Sequence, residues 1–155
     1  MTDTDILHLL AKGDGVDATS LRIVGFDDVH LTPLGYDLRA GKTVQLSGEK
    51  TPHLLNESDS VFIAPGQTAL IETLEEISMP REGALAKSLS GMIFSKVSAV
   101  SRGLSHISTT VDPDWHGRLL IAVHNHANYP IKIAYGDAIC TLSFIENKTK
   151  ATRFS

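Results

Sequence analysis

Residues 118–145 read Arg118-Leu119-Leu120-Ile121-Ala122-Val123-His124-Asn125, then Pro130-Ile131-Lys132-Ile133-Ala134. After Gly136-Asp137 the chain continues as Ala138-Ile139-Cys140-Thr141-Leu142-Ser143-Phe144-Ile145. Each run is rich in apolar or β-branched residues and bounded by turn formers, which predicts strands rather than helices. Working outward, the same signature recurs at Leu21–Val24, Val29–Leu31, Thr43–Leu46, Val61–Ile63, Thr68–Thr73 and Gly103–Val111. Gly41-Lys42, Pro65-Gly66 and Pro80-Arg81 punctuate them, as turns between short strands require. Many short strands with regular punctuation predict an all-β sandwich, jelly roll or barrel. No repeat, linker or low-complexity stretch interrupts residues 1–155, so a single domain is expected.

A short helix is expected before the strands, over Asp3–Lys12. Thr2 or Thr4 would cap it, Asp3 and Asp5 complement its dipole, Ile6, Leu9 and Leu10 share a face, and Gly13 would end it. Hydrophobic residues at 42% and charged residues at 21% suit a soluble globular domain. The net charge of −4 argues against a nucleic-acid-wrapping protein, which needs a basic stripe, yet leaves room for a small anion held by a few donors. The lone Cys140 excludes an internal disulfide and a cysteine zinc cage. No apolar run approaches the roughly 20 residues that span a bilayer, and Met1–Asp5 is acidic where a signal peptide is basic. A cytoplasmic, reducing location without membrane contact is the resulting expectation.

One segment departs from the strand pattern. Ile93 to Gly103 reads as a brief helical turn ended by Gly103, with a lysine, serine hydroxyls and free backbone N–H groups at its start. Such a start binds phosphate oxygens, and it equally describes a capped surface helix with a stray lysine.

Four separated stretches together resemble the dCTP deaminase/dUTPase family, in order and in spacing. Tyr36-Asp37-Leu38-Arg39-Ala40-Gly41 is similar to its first motif, a strand bearing an aspartate. Ser95-Lys96-Val97-Ser98 through Arg102-Gly103-Leu104 resembles its phosphate-binding helix, with Lys96 where arginine is usual. Val111-Asp112-Pro113-Asp114-Trp115-His116-Gly117 resembles the Asp-Pro-Gly-Trp-x-Gly turn of dCTP deaminases. Pro130-Ile131 to Gly136 and Ile139 to Phe144 resemble the closing strands. The resemblance implies a distorted jelly roll, the β-clip of the dUTPase type, assembled as a homotrimer with a deoxynucleoside triphosphate bound between subunits. It implies Lys96, Ser98, Arg102, Trp115 and Thr141 as nucleotide-binding residues, Asp112 as the catalytic aspartate, and Mg2+ arriving with the triphosphate. No metal site made of protein ligands alone is expected.

The resemblance breaks at the reacting atom. Family deaminases carry a glutamate ten residues after the aspartate of the turn, and ten residues after Asp112 stands Ala122. The zinc cage of other deaminases is also absent. Without a positioned acid–base group, which contributes typically 10²–10⁴-fold, dCTP deamination is expected to be weak or absent. His124 shares the strand face of Ala122 and is the nearer substitute, ahead of His126. A dUTP diphosphatase-type reaction needs Asp112 and remains chemically open. Against it stand a base-binding hairpin about two residues shorter than in relatives, Thr141 in place of a frequent glutamine, and a tail, residues 146–155, without the usual glycine- and arginine-rich lid. A non-catalytic nucleotide-binding regulator and a pure structural trimer complete the alternatives.

Plainer readings stand beside each residue. Asp112 before a proline is a common turn former. Trp115 is equally a core or interface aromatic. His124 and His126 are a surface or interface pair as readily as two metal ligands. Arg39 and Asp37 are a structural ion pair or site residues, and Cys140 is a small core residue.

Overall fold

The computed structural model describes residues 1–10, 17–106 and 109–154. Helix α1 (Asp3–Leu9) opens the chain, and Thr2 and Asp5 form a capping box in which each side chain bonds the other's backbone N–H. The expected continuation to Lys12 and the stop at Gly13 lie outside the described residues. Leu10 has already left the helix and bridges Leu21. The stretch expected as a strand at Val29–Leu31 is instead a 3₁₀ turn (Asp28–His30), because the Asp27 carboxylate accepts from Val29 N at 3.1 Å and caps it.

Among the described residues twelve strands follow: β1 (Arg22–Val24), β2 (Leu31–Thr32), β3 (Gly35–Leu46), β4 (His53–Leu54), β5 (Ser60–Ile63), β6 (Thr68–Ser78), β7 (Leu89–Ser95), β8 (Leu104–His106), β9 (Thr110–Val111), β10 (His116–Asn125), β11 (Ile131–Ala134) and β12 (Ala138–Glu146). One turn of helix, α2 (Val97–Val100), lies between β7 and β8. Ten strands form a curled antiparallel sheet in the order β8-β10-β6-β3-β12-β7-β9, with β1 on β6 and β2 and β4 on β3; β11 and β5 form a separate ladder. The all-β expectation is thereby met.

β3 turns the sheet's corner. Its first half, Tyr36–Arg39, pairs with β12, and its second half, from Ala40 onward, pairs with β6 across a register shift between Ala40 and Val44. Gly41 sits in that bulge because any Cβ there would lie 2.8 Å from the carbonyl oxygens of Glu72 and Thr73.

Period-two alternation fills the interior. β6 turns Ala69, Ile71, Thr73, Glu75 and Ile77 inward, all fully buried, against Leu38, Ala40 and Val44 of β3 and Ile121 and Val123 of β10. Two of those inward positions are polar. Glu75 accepts from Arg39 N (2.8 Å), Arg39 Nε (2.7 Å) and Tyr36 OH (3.3 Å). Thr73 Oγ1 donates to Glu75 O (2.8 Å) and accepts from Leu119 N (3.0 Å), tying β6 to β10. Arg39 therefore pairs with Glu75 and not with Asp37, which corrects the sequence reading. The expected strand at Thr68–Thr73 runs on to Ser78, and that extension places Glu75 inside.

β7 was not expected either. Ile93–Ser95 complete this strand, and only Val97–Val100 is helical. Gly91 disguised the strand, since glycine is a poor strand former; here a Cβ would meet Leu142 Cδ1 at 2.7 Å.

Replacing Glu75 by alanine leaves the Arg39 guanidinium unpaired in the interior and is expected to lower stability by about 3–5 kcal/mol, measurable as a shifted urea midpoint. Burial pushes the Cys140 thiol up to about 12, with the nearby Asp37 and Glu75 carboxylates acting in the same direction. Native protein at mildly alkaline pH is therefore expected to resist a thiol-specific chromogenic reagent that labels the urea-unfolded chain fully.

Candidate functional site

β7 ends at Ser95 opposite Cys140, and the chain stays extended through Lys96 before turning into α2. The neighbouring strands place Asp37 (β3) and Phe94 (β7) on either side of Thr141 (β12). Side chains opposite one another across antiparallel strands share a face, so Asp37, Thr141 and Phe94 form one patch at the foot of α2. Lys96 Nζ donates to Asp37 Oδ2, and Thr141 Oγ1 donates to Asp37 Oδ1 at 2.8 Å. The Lys96 and Asp37 side chains are 21% and 12% exposed, so the pair lies in a shallow recess, where an ion pair is screened less than on an open surface. Lys96 is thus a tethered cation, aimed by a carboxylate that its own threonine neighbour also grips.

Ser98 and Arg102 are exposed on and after α2. The segment between them and β10 is fixed from below. Gly103 has φ +95° and ends the helical turn as expected, its carbonyl accepting from His126 N at 2.8 Å, and a Cβ there would strike Ala127. Tyr129 OH donates to Arg102 O at 2.9 Å. Asn125, fully buried, donates to Ile63 O and Tyr129 O and accepts from Ala127 N, all within 2.9 Å. Every hydrogen-bonding direction of that amide but one is thereby used, which holds the loop over the phosphate-type segment in one shape.

Asp112 and Trp115 form the other half of the predicted set. Trp115 N donates to Asp112 O (3.0 Å), closing the turn that enters β10, and its indole N–H donates to Gly117 O (3.0 Å). The indole is half-buried against the core, while Asp112 is exposed. Within one chain this turn lies far from Lys96. Val111 pairs with Gly91, so Asp112 sits near the start of β7 and Lys96 just past its end, on the order of 15–20 Å apart at about 3.3 Å per residue. The structure therefore gathers Lys96, Asp37 and Thr141 with Ser98 and Arg102 nearby, and leaves Asp112 and Trp115 at a second location.

Ala122 lies mid-strand in β10 opposite Leu70, between Leu120 and His124 on its face. Residues 107–108 of the expected base-binding hairpin lie outside the described residues. His124 Nδ1 is hydrogen-bonded to Thr68 Oγ1 (2.9 Å) and His126 Nε2 to Ser105 Oγ (2.7 Å), with ring centroids 4.5 Å apart. Among the described residues no group of three or more His, Cys, Asp or Glu gathers to hold a metal ion. The tail folds along its own chain: Asn147 N donates to Ser88 O (2.7 Å), Ala151 N to Lys87 O (2.8 Å), and Lys87 Nζ sits 4.3 Å over the Phe154 ring. Sequence reasoning missed the Asp37–Lys96 pair, whose signal was the Asp37–Thr141 register, visible only once β3 and β12 are paired.

Comparison with known proteins adds the following. A family model described as dCTP deaminase-like matches residues 1–147. A dCTP deaminase of Thermococcus gammatolerans is 31% identical over 128 residues, covering 83% of this chain and 76% of the relative. One of Pyrococcus horikoshii is 31% identical over 120 residues, covering 77% of this chain and 72% of the relative. Among solved structures, a 2'-deoxycytidine 5'-triphosphate deaminase from Agrobacterium tumefaciens superposes with a TM-score of 0.71 at 16% identity, over 93% of this chain and 45% of that one. A mutant dUTPase of S. aureus phage phi11, described with a structural Mg(II) ion, gives 0.60 at 17% identity over 88% and 96%.

The Lys96–Asp37 pair is expected to show coupling in a double-mutant cycle: Lys96→Met and Asp37→Asn together should destabilise less than the sum of the two by about 1 kcal/mol. Strict additivity in chemical denaturation would dissolve the pair.

Proposed function

The chain belongs to the dCTP deaminase-like family, and from that premise we propose that it binds a pyrimidine deoxynucleoside triphosphate between the subunits of a homotrimer, with deamination weak or absent. The observation that carries the proposal is the anchored Lys96, held by Asp37 and Thr141 beside the exposed hydroxyl of Ser98 and the guanidinium of Arg102. These groups supply charge-assisted donors for phosphate oxygens. Asp112 and Trp115 would face sugar and base from the adjacent subunit, since one chain alone keeps them apart from Lys96.

Two distinct apolar surfaces support that assembly. Met92, Phe94 and Val97 are exposed beside Lys96, and Leu70 and Leu120 are exposed beside Ala122. A ring closes when one face of each subunit meets a different face of the next. Joining these two faces would bring the phosphate donors of one chain toward the Ala122 surface of its neighbour.

Magnesium in this reading enters with the triphosphate, bound chiefly through phosphate oxygens and water, and neutralises charge there. This chain's residues do the remaining work: Lys96, Ser98 and Arg102 bind phosphate, Trp115 packs, Thr141 orients Asp37, and Asp112 accepts hydrogen bonds from sugar or water. At C4 of cytosine a deaminase needs a group that takes a proton from water, and the Ala122 methyl has none to offer. The two relatives above are dCTP deaminases by description; for this chain the binding half of that activity is proposed to have outlasted the chemical half. Hydrolysis of dUTP at the α-phosphorus asks less of position 122 and is the second reading, favoured by the presence of Asp112.

In a thermal-shift panel with magnesium, dCTP or dUTP is expected to raise the melting temperature by several degrees over dATP, and Lys96→Ala to remove the shift. No nucleotide-dependent shift sinks the proposal. With dCTP as substrate, the unmodified chain is expected to release little or no ammonia, and Ala122→Glu to raise the rate by at least about tenfold. Pyrophosphate release from dUTP, abolished in Asp112→Asn, would select the hydrolase reading.

A further inference from the structure

A cavity of about 440 Å³ with charged residues in its lining opens where β1, β6 and β10 run side by side. Register fixes its floor: Arg22 of β1 and His116 of β10 are the two cross-strand partners of Ser78 in β6, so the three form one row on the outer face. Ser78 Oγ and His116 Nδ1 share a hydrogen bond of 2.5 Å, and His116 Nε2 lies 3.8 Å from Glu76 Oε1. The rim is held in place by Ala18 O, which accepts from Arg81 N at 2.8 Å and Glu82 N at 3.0 Å, bringing Arg81 to the cavity.

The charges on this lining are used unequally. Asp17 turns its carboxylate onto its own loop, accepting from Thr19 N, Thr19 Oγ1 and Ser20 Oγ, and those hydrogen bonds, Ser20 first, hold it below the usual carboxylate range. Glu76 turns its carboxylate toward His116, Oε1 lying 3.8 Å from Nε2. Arg22 and Arg81, in contrast, have neither an ion pair nor a side-chain hydrogen bond among the described residues. Two guanidinium forks without a protein partner among the described residues and an imidazole therefore line one cavity, in which Asp17 is turned onto its own loop and Glu76 faces His116.

From this arrangement we infer a phosphate-binding site distinct from the Lys96 cluster, in which Arg22, Arg81 and His116 grip a phosphate group and Ser78 orients the imidazole. Guanidinium forks match phosphate oxygens in bidentate geometry, and a phosphate offers enough oxygens to engage both forks and the ring at once, which a carboxylate does not. The ligand is a phosphomonoester or free phosphate. Neither Asp112 nor the Lys96 patch lines it.

Trp115 is the sole tryptophan and directly precedes His116, so its fluorescence reports on this cavity. Titration of the full chain with inorganic phosphate, at ionic strength held constant with sodium chloride, is expected to saturate. Arg22→Ala and Arg81→Ala should each weaken binding by about tenfold or more, while Lys96→Ala leaves it unchanged. A wild-type titration that does not saturate overturns the site, as does binding that is lost in Lys96→Ala and kept in Arg22→Ala. Competition by dCMP would identify nucleotide phosphate as the occupant, and saturation without such competition a free phosphate; both uphold the site. Should an alanine variant fail to fold, the His116 Cε1–H resonance of the unmodified chain must move on phosphate addition, and a stationary signal overturns the assignment. Because these residues are absent from the nucleotide proposal, either result leaves that proposal standing or falling on its own test.

Discussion

A single buried carboxylate holds the corner of this fold. Glu75, on β6, is fully enclosed at the point where β3 leaves β12 and joins β6, and it draws its partners from the β12-paired half of β3: the Tyr36 phenol, and the backbone and side chain of Arg39 at the corner itself. A carboxylate in such a place would be strongly destabilising unless every lone-pair direction were met, because the interior cannot solvate it. Here the guanidinium supplies the opposite charge, the phenol and amide supply further donors, and Thr73 carries the connection on to β10 through Leu119 N. Among the described residues no buried side-chain nitrogen or oxygen lacks a partner. An apolar corner would pack as densely but permit slippage, whereas this network accepts only one register of β3 against β6.

That constraint reaches the candidate site through β3. Asp37 follows Tyr36 directly and precedes Arg39 by two residues, on a strand that both of them fix to Glu75. Alternation sends its side chain to the face opposite Tyr36, where Thr141 and Lys96 meet it. The position of the Lys96 ammonium is therefore set by the core network rather than by α2, which is a single turn with little dipole of its own. A flexible lysine loses much rotamer freedom when it grips a phosphate; a lysine already held by Asp37 has surrendered part of that freedom on folding, which favours binding by pre-organisation.

Much of the fold was legible because strands announce themselves by period two and by their turns. The long runs at β6, β10 and β12 appeared in the sequence nearly at their true lengths or as their first halves, and Gly103 marked the end of α2 correctly. β7 was hidden by Gly91, whose missing side chain makes room for Leu142 and Val111, and the 3₁₀ turn at Asp28 was hidden by a local cap that overrides the β-branched Val29. The site was less legible for a different reason. Its residues were nameable from their motifs, but the pairing of Lys96 with Asp37, fifty-nine positions apart, depends on strand order. The inward Glu75 was readable in principle, by extending the alternation of β6 one turn of the pattern past Thr73.

Position 122 and the Lys96 cluster differ in how tightly the fold depends on them. A side chain on the outer face of a central strand contributes little to packing, so exchanging a carboxylate for a methyl there leaves the inward Ile121 and Val123, and hence the sheet, unaffected. The phosphate-side residues are different, for Asp37 and Thr141 are hydrogen-bonded into the same register that closes the sheet corner. A methyl at 122 leaves the packing of the sheet as it is, while removal of Lys96 would leave the buried Asp37 carboxylate without its ion-pair partner and with the Thr141 hydroxyl still bonded to it. The Lys96 cluster is thus held by β3 and β12, independently of which side chain stands at position 122 on β10.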